Sequence, residues 1–218
     1  MDLRLGELHQ TIRDTTRAFA QKELAPRAHA LEAAGALPDD VRGQLAELGL
    51  FGLTVPEDEG GAGLDGLAFA VAVEAIAAAS ADVAWRLAVH AGPAMAALEG
   101  RERGAFAEGT ALASYARANK GVAVFAPLPA DVLVACASGG RLFAVDAPEG
   151  AAVATLGLRG AGLADVPLDA AAPLPGDGAM VQAWADLAAA ATMLGAGDGA
   201  AQAALSYAKE RTQFGRPL

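Results

Sequence analysis

From Leu3 to about Leu98 the apolar positions recur every three or four residues, as in L-x-x-T-I-R-D-T-T-R-A-F-A-Q-K-E-L, where Leu8, Ile12 and Phe19 fall on one stripe. That spacing matches the 3.6-residue turn of an α-helix and predicts a helical bundle. Pro38, Asp39 and Asp40 suit a first helical turn and Gly49 suits a C-terminal stop, so a short helix is expected over Asp39 to Leu48. The stretch F-G-L-T-V-P-E-D-E-G-G-A-G-L-D-G that follows carries Pro56 and glycines at 52, 60, 61, 63 and 66. It must be a loop. Asp65 then reads as the N-cap of the next helix.

The period changes near Gly109. Val122, Val124 and Phe125, then D-V-L-V-A-C-A and R-L-F-A-V-D-A, read as β-strands, the last two joined by a Ser138-Gly139-Gly140 turn. A-V-A-T-L-G-L-R-G-A-G-L-A-D-V-P-L-D adds two short strands. Helical periodicity returns near Gly178, and one long helix is expected from about Val181 to Phe214, with an apolar stripe of Trp184, Leu187, Ala191, Leu194 and Leu205 seeking partner helices. The pattern therefore predicts a mainly helical α+β chain. Its parts are an N-terminal helical domain over residues 1–108, a small middle β-domain over 109–177, and the first long helix of a C-terminal helical bundle over 178–218.

Composition narrows the function classes. The chain is 54% hydrophobic, but much of that is alanine at helical spacing, and no run reaches the roughly 18 uninterrupted apolar residues of a membrane span. A charged N-terminus and a lone cysteine, Cys136, point to a cytoplasmic protein without an internal disulfide. The net charge of -10 argues against electrostatic capture of nucleic acid or an anionic membrane surface. A phosphate-bearing ligand must then be held by locally placed arginines or backbone amides.

Most candidate motifs have a plain structural reading. Gly195, Gly197 and Ala200 match G-x-G-x-x-A, but an alanine-rich helical run precedes them in place of a strand, so they read as small residues at a close helix crossing. His9, His29 and His90 are too scattered for a metal site and read as surface or core histidines. Glu57 to Glu59 reads as a solvated loop edge, and no G-x-S-x-G elbow supports a Ser/His/Asp triad. The terminal stretch S-Y-A-K-E-R-T-Q-F-G-R-P-L is different. Lys209 and Arg211 would suit a helix C-terminus through the dipole alone, but Gln213 and Phe214 beside them are unexplained by it.

Y-A-K-E-R-T-Q-F-G-R-P-L resembles the Y-A-x-x-R-x-Q-F-G-x-P segment of the acyl-CoA dehydrogenase family, flavoproteins that oxidise acyl-CoA thioesters to 2-enoyl-CoA. V-P-E-D-E-G-G-A-G-L-D-G resembles the family's V-P-E-x-x-G-G-x-G loop, and G-L-R-G-A-G-L-A-D-V resembles part of its middle β-domain. The resemblance implies FAD as cofactor, an acyl-CoA substrate, a place in fatty acid metabolism and a homo- or hetero-oligomer. It further implies that Arg211, Gln213 and Phe214 reach the adenosine-pyrophosphate of a FAD bound mainly by a neighbouring subunit.

The departures are specific. The family's T-E-P-x-x-G-S-D and K-x-(F/W)-I-T-N motifs, which bind the flavin ring, are missing from the stretch S-Y-A-R-A-N-K-G-V-A-V-F-A-P-L-P-A-D. The late glutamate that most members use as base is also missing, and the alternative position near the start of the long helix falls on Ala185, beside Asp186. One residue along a helix turns a side chain by about 100°, which disfavours Asp186 as the base. The catalytic base is unknown. The expectation is a shortened or truncated family member, an active dehydrogenase or alternatively a non-catalytic subunit completing a partner's FAD site, or a flavin-free structural homologue.

Overall fold

The computed structural model describes residues 4–213 and 216–217. The architecture is α+β, as the pattern predicts, and local signals fix most of the helix ends. Helix α1 (Glu7–Phe19) runs through a π-helical turn at Ala20–Leu24 and a 3-10 turn at Ala25–Arg27 into α2 (Ala28–Ala34). Pro26 accounts for the change of winding, because it has no N–H to give the ladder. Helix α3 covers Asp39–Glu47, within a residue of the expected helix. Asp65 caps α4 (Gly66–Ala77), its carboxylate accepting the Ala68 N–H at 2.9 Å. Ser80 caps α5 (Ala81–Val89), which continues through a π-helical turn at His90–Ala94, with Pro93 inside it, to α6 (Met95–Ala97). A short α7 (Gly104–Ala107) precedes the sheet.

The helices close over a core in which Leu24, Leu45, Phe51, Phe69, Ile76 and Leu87 are fully buried. On the α1 stripe, Ile12 and Phe19 pack against that core while Leu8 is exposed. The strands are β1 (Ala113–Asn119), β2 (Val122–Pro127), β3 (Val132–Ala137), β4 (Arg141–Asp146), β5 (Ala151–Ala152), β6 (Leu163–Pro167) and β7 (Ala172–Leu174). They form one sheet in the order β5-β6-β2-β1-β3-β4-β7, with β1 and β3 parallel and every other pair antiparallel. The β3–β4 hairpin turns at Ser138–Gly140 as expected. Between β1 and β2 only Lys120 and Gly121 intervene, since Asn119 pairs with Val122.

Alternation along the strands gives the sheet two faces. Tyr115, Val132, Val134 and Cys136 lie on one, in a cluster with Val181 and Ala185. Ala116, Leu133, Ala135, Val145 and Val166 lie on the other.

The last helix, α8, spans Gly178–Glu210. It starts three residues before the expected Val181 because Asp177 caps it, accepting from the N–H groups of Ala179 and Met180 at 2.9 and 3.3 Å. It ends at Glu210, short of the expected Phe214, which lies outside the described residues. The first part of the apolar stripe finds its partner helices within the chain. Trp184, Leu187 and Ala191 pack against the N-terminal helices, with Trp184 edge-on to Phe69 at 5.3 Å between ring centroids. Leu194 and Leu205 remain 65% and 55% exposed. The small-residue reading holds at Gly195, where an added Cβ would run into the Glu74 carbonyl oxygen, but not at Gly197, where it would meet nothing within 4 Å, nor at the exposed Ala200; Gly199, outside that motif, makes a similar close approach to the Ala78 carbonyl.

Candidate functional site

Two candidate sites lie at the opposite ends of α8. At its start, Gly178 seats the helix against the β3–β4 turn. A Cβ on Gly178 would stand 2.0 Å from the Gly140 carbonyl oxygen, so the close approach needs glycine. Beside this contact opens a groove of about 680 Å³, lined by Arg117, Cys136, Ser138, Asp177 and Gln182 among others. On one wall Gln182 is held by two side chains that lie outside the lining. The Tyr115 hydroxyl donates to Gln182 Oε1 at 3.3 Å, and Gln182 Nε2 donates to the Asp186 carboxylate at 2.7 Å.

Burial dominates the acid–base character of that wall. It raises the Tyr115 phenol well above its usual range and raises the Cys136 thiol as well, so both are held in their neutral forms at neutral pH. Ala185 is buried between α8 and the sheet and has no carboxyl. Asp186 is exposed, with its carboxylate engaged by Gln182. Tyr115 and Gln182 belong to no motif. The only hint of them in the sequence is that Tyr115 alternates with Ala116 on a strand and Gln182 lies one turn before Asp186.

At the far end, Arg211 leaves the helix in an extended conformation (φ -71°, ψ 114°), its N–H still donating to the Tyr207 carbonyl at 2.8 Å. Its guanidinium lies 5.9 Å from the centre of the Tyr207 ring, a cation–π distance. Thr212–Gln213 (β8) then pairs with Arg216–Pro217 (β9) as a small ribbon. Arg211 and Gln213 are both exposed, and Phe214 lies outside the described residues. From Gln182 to Arg211 the chain is helical throughout, so at 1.5 Å per residue the arm and the groove are roughly 40 Å apart.

Residues 6–103 match the family model of the acyl-CoA dehydrogenase N-terminal domain. Over that span, a little under half of its length, the chain matches the acyl-CoA dehydrogenase family. Among similar curated proteins, the short-chain specific acyl-CoA dehydrogenase of mouse mitochondria is 42% identical over 86 residues, covering 39% of this chain and 21% of the mouse protein. A probable acyl-CoA dehydrogenase of Bacillus subtilis is 33% identical over 123 residues, covering 53% of this chain and 32% of its own length. The match thus spans a third or less of these relatives. The fold resembles butyryl-CoA dehydrogenase of Megasphaera elsdenii with a TM-score of 0.81 at 22% identity, covering all of this chain and 73% of that one. It also resembles glutaryl-coenzyme A dehydrogenase in its glutaryl-CoA complex, with a TM-score of 0.82 at 22% identity over all of this chain and 70% of that one. Among the described residues no helix is long and apolar enough to cross a membrane.

The residues present fit a family FAD unevenly. Arg211, Thr212 and Gln213 offer a guanidinium fork, a hydroxyl and an amide on one exposed turn, a donor set suited to pyrophosphate oxygens. At the sheet, Tyr115 and Cys136 pack directly with Val181 and Ala185, and β1 joins β2 by two residues. That leaves no connecting loop to cover a ring there.

Proposed function

We propose that the chain is a subunit of an acyl-CoA dehydrogenase-like flavoprotein, acting in the α,β-oxidation of an acyl-CoA thioester in fatty acid metabolism. On this reading Arg211 and Gln213 hold the adenosine-pyrophosphate end of a FAD seated in a neighbouring subunit. The observation that carries it is the separation along α8. The exposed Arg211 and Gln213, roughly 40 Å along the helix from the chain's own groove, support a role toward another chain.

When bound, FAD supplies the hydride acceptor for the thioester β-carbon. The chain's own contribution is binding and orientation. The planar guanidinium of Arg211 and the Gln213 amide would hold the pyrophosphate as hydrogen-bond donors. In the groove, Arg117 provides positive charge toward an anionic ligand, and the neutral Tyr115 hydroxyl fixes Gln182. Removal of the substrate α-proton needs a carboxylate, which Ala185 cannot provide.

The two-residue β1–β2 turn favours a second reading in which the subunit is non-catalytic and completes a partner's FAD site. Flavin absorbance and light scattering of the purified protein, alone and mixed with an intact family member, separate the readings. Flavin retained by the homo-oligomer with turnover of an acyl-CoA supports the dehydrogenase. Flavin retained more tightly only in the mixture supports the completing subunit. A flavin-free monomer in both preparations removes the cross-subunit arm and leaves a structural homologue.

A further inference from the structure

On the face of the sheet away from α8 the two hairpin turns frame a second, smaller pocket. Because β1 and β3 are parallel neighbours with Arg117 opposite Cys136, the Lys120–Gly121 turn and the Ser138–Gly140 turn finish side by side. The pocket between them holds about 350 Å³. Its walls include Ala118, Ala137, Phe143 and Leu168, and Lys120 and Arg141 stand at its edge. Ala118, Phe143 and Leu168 pack on the cluster around Leu133 and Val166, whereas Tyr115 and Cys136 face α8. The pocket therefore opens on the opposite face from Tyr115 and Cys136, and it meets the groove beside Gly178 at Ala118, Ala137 and Ser138, which line both.

Two cations stand at its edge. In a chain of net charge -10, Lys120 and Arg141 are both exposed, and among the described residues neither is paired with a carboxylate. The Arg141 guanidinium lies 6.0 Å from the centre of the Phe143 ring, which places the cation against the apolar wall. Lys120 holds a left-handed backbone, φ +50°, in a two-residue hairpin turn whose first position favours asparagine or glycine.

We propose that this pocket binds a small amphipathic monoanion, a medium-chain or aryl carboxylate. Its hydrocarbon would rest on Ala118, Ala137, Phe143 and Leu168, and its carboxylate would lie between Lys120 and Arg141. The volume is at the low end for ligand pockets, enough for a fatty or aryl acid of modest size and too little for a dinucleotide. The fork of Arg141 matches a carboxylate in two-point geometry, and the ammonium of Lys120 adds charge without a shape requirement. The site stands independently of the FAD reading.

The test is amide chemical-shift mapping on the full chain titrated with sodium octanoate, with octanol as the uncharged control. Shifts are expected at Gly121, Ser138, Arg141 and Phe143, saturating with octanoate and at least about tenfold weaker with octanol, since a charge-assisted hydrogen bond is lost. Lys120→Asn with Arg141→Gln should weaken octanoate at least about tenfold while circular dichroism stays that of the parent. If the double variant does not fold, Lys120→Asn alone reads the site, because asparagine suits the left-handed turn. Shifts absent from the two turns, octanol binding as tightly as octanoate, or variants with unchanged affinity would each overturn the proposal.

Discussion

Arg103 clamps the carboxylate of Glu59 at both oxygens, Nε to Oε2 and Nη2 to Oε1, each at 2.7 Å, and donates its remaining Nη1 to the Met95 carbonyl at 2.9 Å. Glu59 belongs to an acidic run that reads in sequence as a solvated edge, yet its partner's side chain is only 6% exposed. The pair ties the glycine-rich loop before α4 to the segment after α6. The hydrogen bonds from Arg103 hold the Glu59 carboxyl below its ordinary value.

Glu59→Gln should therefore lower the melting temperature, by several degrees, because it leaves a buried guanidinium with one charged partner fewer. The sign with pH follows from the lowered folded-state value. The pair's contribution is present above the ordinary glutamate value of 4.5 and is lost as pH falls below it. Thermal melts of parent and Glu59→Gln at neutral pH and near pH 3, the latter a roughly chosen point below that value, should show the difference shrinking. An unchanged difference would mean the pair contributes through packing alone.

His90 gives a second pH handle. Its ring is buried between Phe51 and the start of β1, with Nδ1 accepting the Ala113 N–H at 3.0 Å and Nε2 donating to the Phe106 carbonyl at 3.1 Å. Burial pushes its pKa down from 6.5 to about 4. A depressed base is neutral in the fold, so its contribution is intact above about 6.5 and is lost as pH falls toward 4. The expected loss is roughly 3 kcal/mol over that window. Urea melts at several pH values should show this slope, and His90→Gln should flatten it. An NMR titration placing His90 near the free-histidine value would refute the assignment.

Much of this fold is readable because its signals are local. Asp65, Gly49 and the Ser138–Gly140 turn each act on residues a few positions away, and each stands where the pattern puts it. What stays hidden depends on partners distant in sequence. Nothing near Glu57–Glu59 indicates that Arg103 will fold back onto it, and Tyr115 meets Gln182 only once β1 lies under α8. The site shows the same division. Arg211 and Gln213 sit in a contiguous motif and can be named from it, whereas the groove at Gly178 is assembled from a hairpin, a strand and a helix start that share no motif.

The glycines of α8 allow a matched comparison. Gly195 and Gly197 are two residues apart in one helix, but an added Cβ meets the Glu74 carbonyl at 2.2 Å at the first and nothing within 4 Å at the second. Gly197→Ala should stabilise the protein by about 0.5–1 kcal/mol through helix propensity and the restricted unfolded chain. Gly195→Ala should destabilise it despite the same propensity gain, because the α4–α8 crossing must open. Denaturant melts of the two variants decide the matter. Equal stabilisation by both would show that α8 does not sit this closely on α4 in solution.

The arm offers the most direct test of the proposed function. If Arg211 pairs with a cofactor pyrophosphate, Arg211→Lys should weaken FAD retention nearly as much as Arg211→Ala, because an ammonium cannot reproduce the planar two-point contact. A cation serving only the helix dipole predicts otherwise. Lysine would then substitute almost freely, and alanine would cost about 0.3–1 kcal/mol of stability without touching flavin. Since Arg211 and Gln213 are both exposed on a turn beyond the helix, neither change should perturb the core, and melting temperatures should stay close to the parent's. Flavin content per chain, measured in the assembled oligomer for Arg211→Lys, Arg211→Ala and Gln213→Ala, separates the two accounts. Loss of flavin in all three at constant melting temperature is the expected result, and unchanged flavin in all three would return the terminal turn to an ordinary helix end.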